Sequence, residues 1–160
     1  MVYDKRDKLH IVAAAAVIRN PEGKYLVLKR SEKEVAYPGY WSFPGGKSED
    51  NETIQETLER EALEEAGLRI NGRKILLKET SFMRPDGQTV KLLSYLCFAD
   101  HFDVIINENF TDFRWISIDE LAGLKHAGID EELKKAEEIY KSGIDIDIIA
   151  TTSRKWTDYE

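Results

Sequence analysis

The stretch GGKSEDNETIQETLEREALEEAGL, residues 45–68, opens on two glycines, closes beside a third, and carries seven glutamates and one aspartate. Its apolar residues recur at helical spacing. At 100° per residue Ile54, Leu58 and Ala62 span an arc of about 80°, the stripe that faces a core. Glu52, Glu56 and Glu59 fall on the opposite side, where carboxylates three or four apart repel one another by roughly a few tenths of a kcal/mol per pair. Glu61, Glu64 and Glu65 are placed differently. They span about 100°, with Glu61 and Glu65 beside or within the apolar stripe. Carboxylates gathered at the edge of a core suffer desolvation and mutual repulsion unless a cation lies among them. Hard oxygen donors at this density suit Mg²⁺, with Mn²⁺ as a substitute, because these ions keep several waters and take further ligands from substrate phosphates.

The rest of the composition narrows the function. A chain of 160 residues with 42% hydrophobic content supports one domain spanning 1–160. A net charge of −7 excludes sequence-independent binding of polymeric nucleic acid, which needs clustered Lys and Arg. A small nucleotide remains an acceptable ligand, provided a metal screens its phosphates. Cys97 lies in the apolar run LLSYLCFA and reads as a buried, reduced thiol. The apolar run nearest the N-terminus, IVAAAAVI, is too short for a membrane span or a secretion signal, so the expected compartment is the cytoplasm. Monomer and homodimer are both left open.

Strand and helix signals alternate along the chain. LHIVAAAAVI (9–18) is a buried strand, favoured over a helix by its length and its terminal Ile and Val. With the turn NPEGK and the strand YLVLKR (25–30) it reads as a hairpin. A loop rich in Pro, Gly and aromatics, AYPGYWSFPGG, leads to the acidic helix, expected from about 50 to 66. RKILLKETSFM and QTVKLLSYLCFAD are strands joined by RPDGQ, and FDVIIN and FRWISI (113–118) are further strands. Asp119 is expected to cap a short helix, and residues 130–143 form a terminal amphipathic helix with Leu133, Ala136, Ile139 and Tyr140 on its apolar side. The tail 144–160 is left unassigned.

Gly46, five residues, Glu52, seven residues, then Arg60-Glu61-Ala62-Leu63-Glu64-Glu65-Ala66-Gly67-Leu68 resembles the signature of the Nudix hydrolases, G-x5-E-x7-R-E-U-x-E-E-x-G-U with U a bulky aliphatic. Every fixed residue matches. Ala62 is smaller than the usual first U, which bears on packing and not on chemistry. YWSFPGGK before this box and FRWISIDEL after it also resemble segments common in the family.

The resemblance implies an α/β (α+β) fold, a mixed sheet sandwiched between helices, and hydrolysis of the diphosphate linkage in a nucleoside diphosphate joined to another group X. It implies metal ligation by Glu61, Glu64, Glu65 and the carbonyl of Gly45, with Glu61 also a candidate base. Arg60 and Glu52 would orient those ligands, and Gly46 and Gly67 would shape the loop and the helix end. Lys47 matches a phosphate-contacting lysine of some triphosphate-hydrolysing members. A carboxylate outside the box often completes the site, and Glu108 is preferred to Asp112 for that role. Arg30 stands in LVLKRSEKEVAYPGYWSFPGG, which keeps the spacing of a coenzyme A pyrophosphatase pattern but has Leu28 and Val35 where Thr and Arg are expected. Phe43, with Tyr37, Tyr40, Trp41 and Phe82, is a candidate for stacking on a base. The substrate expected from WSFPGGK is a (deoxy)nucleoside triphosphate or an oxidised purine nucleotide. ADP-ribose, sugar-nucleotide and coenzyme A pyrophosphatases are the alternatives of the same class. A ligand sensor without catalysis and an isopentenyl diphosphate isomerase-like enzyme are the alternatives of other classes.

Overall fold

A computed structural model describes residues 5–146 and 151–155. Among these residues seven strands form two sheets. One has the order β4-β1-β6-β5, from Gly45–Lys47 (β4), Ile11–Ile18 (β1), Thr89–Cys97 (β6) and Lys74–Met83 (β5). The other has the order β3-β2-β7, from Trp41–Ser42 (β3), Tyr25–Arg30 (β2) and Phe110–Ile116 (β7). Among the described residues three α-helices complete the fold, α1 over Ile54–Ala66, α2 over Ile118–Leu121 and α3 over Asp130–Lys141, with a 3₁₀ turn over Arg6–Lys8.

β1 runs parallel to β6 and antiparallel to β4, so the first sheet is mixed. Its alternation sends side chains into two cores. Ala14, Ala16 and Ile18 meet Leu58, Ala62 and Ala66 of α1, while Val17 joins Leu133 and Ala136 of α3. The expected sandwich of sheet between helices is therefore present. The run of alanines explains the close approach of α1: small side chains on the strand meet small ones, Ala62 and Ala66, on the helix.

Several expectations need correction. β1 and β2 do not form an extended hairpin. The turn closes through Asn20 N–H to the Lys24 carbonyl and a single Arg19–Tyr25 bridge, after which the strands part into different sheets. FDVIIN is not a strand. Its Ile105 N–H donates to the Ala66 carbonyl, so this segment caps the C-terminus of α1 instead of adding to a ladder. Ser117, not Asp119, caps α2, through a reciprocal capping box with Glu120. β5 and β6 form the expected hairpin around RPDGQ, and α3 buries Leu133 and Ala136, whereas Tyr140, expected on its apolar side, is exposed, and the acidic helix begins at Ile54 instead of near residue 50. In the tail, residues 144–146 and 151–155 are described. There Thr151 N–H donates to the Lys74 carbonyl, and Lys155 pairs with Glu56 at the start of α1.

Candidate active site

The acidic helix is fixed at both ends by local chemistry. Thr53 is its N-cap, accepting from Glu56 N–H while the Glu56 carboxylate accepts from Thr53 N–H. Gly67 ends it with φ of +67°, a left-handed conformation that glycine adopts without penalty. α1 thus begins and ends at fixed points, and its register decides which glutamates meet the sheet.

Arg60 organises the acidic cluster. Its Nε donates to Glu52 Oε2 at 2.6 Å and its Nη2 to Glu52 Oε1 at 3.0 Å, a two-bond fork. Nη1 reaches Glu61 Oε1 at 2.8 Å and Glu64 Oε2 at 3.3 Å, and Nη2 also donates to the Lys47 carbonyl at 3.0 Å. The guanidinium holds the Glu52 carboxyl at about 2, far below its usual range. β4 closes the other side. Gly45 N–H donates to Glu65 Oε1 at 2.7 Å, and a Cβ built on Gly46 would lie 2.6 Å from Glu61 Oε1. A side chain at position 46 would require the Glu61 carboxylate to shift from this place.

Glu65 is 8% exposed, and burial pushes its carboxyl up to about 8, with the Gly45 N–H opposing the shift. Burial also raises Glu61, against the pull of Arg60. Among the described residues no three acidic, histidine or cysteine side chains converge as a ready-made ligand set. Glu61 and Glu64 turn to Arg60, and Glu65 turns to the backbone of Gly45. The donor chemistry still fits a hard divalent cation, because two raised carboxyls lie at one site and a positive charge among them would relieve both.

A cavity of about 530 Å³ lies over this cluster, lined by Arg30, Glu34, Gly45–Lys47, Arg60, Glu61, Glu65, Asn109 and Phe110 among others. Of the residues singled out from the sequence, the fold gathers Arg30, Lys47, Gly45, Gly46, Glu52, Arg60, Glu61, Glu64 and Glu65 in or beside it. Glu108 is exposed, and its neighbours Asn109 and Phe110 line the cavity in its place. Asp112 is also exposed on β7 and accepts from Phe113 N–H.

A second cavity, of about 550 Å³, is mainly apolar and shares Arg30, Glu34, Gly46 and Lys47 with the first. Tyr37, Tyr40, Trp41, Phe82, Val90 and Leu92 are in its walls. Phe43, the expected stacking residue, instead points into the core at 7% exposure and lines neither cavity. Trp41 and Phe43, two apart and so on one face of an extended segment, both belong to the core that packs against α3, and Trp41 alone of the two also borders the cavity. Sequence reasoning missed Glu34 and Ser42. The Ser42 hydroxyl is buried without a hydrogen-bond partner and lines the apolar cavity. Cys97 is a core thiol pushed up to about 12 by burial, and the His126 ring accepts from Gly128 and Ile129 N–H.

Gly45 provides a structural test. A Cβ there would overlap the Ala14 carbonyl and lie 2.8 Å from Ala15 Cα, both backbone of β1. Gly45→Ala is expected to pry β4 from β1, costing about 2 kcal/mol or more and several degrees of Tm by circular dichroism. An unchanged Tm would show that β4 is not held as described.

The carboxylate-bearing helix, the arginine that orients it and the adjoining apolar cavity define a hydrolase of phosphoanhydride bonds. A family model for the NUDIX domain matches residues 9–136, and the chain belongs to that family. The nucleoside triphosphatase NudI of Salmonella agona (strain SL483) is 32% identical over 114 residues, covering 63% of this chain and 78% of that protein. A MutT protein from Methanosarcina mazei Go1 has the same fold, with a TM-score of 0.70 at 24% identity over 82% of this chain and 96% of its own. The MutT NUDIX hydrolase from Burkholderia pseudomallei follows at 0.69 and 25%, over 79% and 98%. No helix among the described residues is long and apolar enough to cross a membrane.

Proposed function

We propose that the chain hydrolyses a nucleoside triphosphate, deoxy and oxidised purine forms included, to a nucleoside monophosphate and pyrophosphate, with Mg²⁺ or Mn²⁺. The observation that carries this reading is the pair of cavities sharing one rim. One is acidic and basic by turns, suited to metal and phosphates, and the other is apolar and walled by aromatics, suited to a base. The curated relatives named as nucleoside triphosphatases support the same substrate class.

Glu61, Glu64, Glu65 and the Gly45 carbonyl would hold the cation, and Glu52 and Arg60 orient them. When bound, the cation neutralises phosphate oxygens and lowers the pKa of a water. Arg30 and Lys47 bind the phosphate chain from the shared rim. Glu61 is our choice for the proton acceptor, since it is a carboxylate inside the cavity whereas Glu108 is exposed outside its lining. Tyr37, Tyr40, Trp41 and Phe82 hold the base by stacking and contact.

The test is pyrophosphate and phosphate release from nucleoside triphosphates, oxidised triphosphates, ADP-ribose, sugar nucleotides and coenzyme A, with Mg²⁺, Mn²⁺ or chelator. Chelator-sensitive pyrophosphate release from triphosphates is expected. Turnover confined to the diphosphate-linked compounds would refute the substrate class. Tight binding without turnover of any compound would point to a sensor.

A further inference from the structure

We propose that Glu34 reads the sugar of the nucleotide, its carboxylate accepting a hydrogen bond from a sugar hydroxyl. The inference rests on the triphosphate reading above. A nucleoside triphosphate is a linear sequence of phosphates, sugar and base. With phosphates over the acidic helix and base in the apolar cavity, the sugar must cross the rim common to both. That rim consists of Arg30, Glu34, Gly46 and Lys47. Gly46 has no side chain, and Arg30 and Lys47 offer only donors, which phosphate oxygens attract. Glu34 is the rim's acceptor side chain, and sugar hydroxyls are donors.

The loop holds Glu34 ready for this contact. Its N–H donates to the Ser31 carbonyl at 3.1 Å, and Ser31 N–H donates to the Asn109 carbonyl at 2.8 Å, tying the loop to the segment before β7. Arg30 Nε is fixed on the Ala36 carbonyl at 2.8 Å, and its Nη2 meets Glu34 Oε2 at a long 3.4 Å. Glu34 Oε1 has no partner among the described residues, and the side chain is 28% exposed. The cation of Arg30 beside it offsets the repulsion that a lone carboxylate would exert on the neighbouring phosphates. This scheme assigns Glu34 no part in ligating metal, although it lines the same cavity as Glu61 and Glu65.

The experiment compares kcat/KM for one nucleoside triphosphate and its 2′-deoxy and 2′,3′-dideoxy forms, using wild type, Glu34→Ala and Glu34→Gln. Wild type is expected to lose about tenfold or more when the contacted hydroxyl is removed. Glu34→Ala should lose activity on the hydroxylated substrate and little on the dideoxy form, so that the ratio falls towards one. Glu34→Gln keeps an acceptor oxygen without the charge and should give an intermediate ratio. Comparing ratios cancels any general harm to Arg30 or the loop. A hydroxyl preference that is the same in wild type and Glu34→Ala, or absent from wild type, overturns the assignment. Wild-type silence on all three triphosphates overturns the substrate reading and this assignment with it.

Discussion

Glu65→Gln is expected to lower metal-dependent turnover by at least about a hundredfold while making the metal-free protein more stable at pH 8. The two effects share one cause. Glu65 is buried beside Glu61, and its folded-state pKa of about 8 stands above the unfolded value of 4.5. The folded state therefore binds the proton more tightly, so the stabilisation is complete below pH 4.5 and is lost as pH rises through about 8. Across that window the metal-free wild type should lose up to about 4 kcal/mol, the upper limit set by complete burial. Glutamine keeps the shape and lacks the charge. In thermal melts with chelator between pH 5 and 8.5, wild type should weaken with pH more steeply than the variant. Saturating Mg²⁺ should restore wild type at pH 8 and leave the variant unmoved, because the binding energy adds to the stability of the folded state alone. Full turnover in the variant would remove Glu65 from the site. Parallel pH profiles would show that its carboxyl is not buried against its charge.

The helical periodicity of residues 54–66 made this site legible in the sequence. The phase of Ile54, Leu58 and Ala62 places Glu61 and Glu65 on the sheet side, and the folded chain puts Glu65 there, held by Gly45. The end of the helix at Gly67 was similarly plain, but its start was expected near residue 50, whereas the Thr53 cap holds it back to Ile54. What the sequence does not reveal depends on pairing over longer distances. The turn at Pro21–Gly23 looks like a hairpin because turn chemistry is local, but whether β2 stays beside β1 depends on β6 and β7, each of which offers a competing edge. FDVIIN has the composition of a strand, yet the Ala66 carbonyl at the end of α1 takes its Ile105 N–H. Glu34 was hidden for a similar reason. It is four residues from Arg30 in an irregular loop, and only the meeting of that loop with β4 and the segment before β7 places it on the rim of both cavities. A carboxylate close behind an arginine in a loop beside the glycine pair was the one available signal.

Arg60→Ala is expected to cost about 3–5 kcal/mol of stability and to lower turnover by at least about tenfold, although Arg60 is assigned no contact with substrate. Its guanidinium forks onto Glu52 and bridges Glu61, Glu64 and the Lys47 carbonyl, so one side chain binds the loop, the helix and β4 together. Removal leaves Glu52, whose side chain is 16% exposed, without its cation, holding among the described residues only the Glu49 N–H and the Thr57 hydroxyl. Arg60→Lys should recover little, because an ammonium cannot reproduce the fork. The pH dependence separates this role from general damage. Glu52 has a folded-state pKa of about 2, below the unfolded value of 4.5, so its stabilisation is present above pH 4.5 and is lost as pH falls through about 2. Wild type should therefore lose stability steadily from pH 4.5 downwards in denaturant titrations, and Arg60→Ala, already without that interaction, should show a shallower acid limb. An equally steep limb in both would place the partner of Glu52 elsewhere. A variant that folds and turns over as wild type would mean that the helix carboxylates keep their orientation without the guanidinium, and that the packing of α1 on β1 alone sets the site.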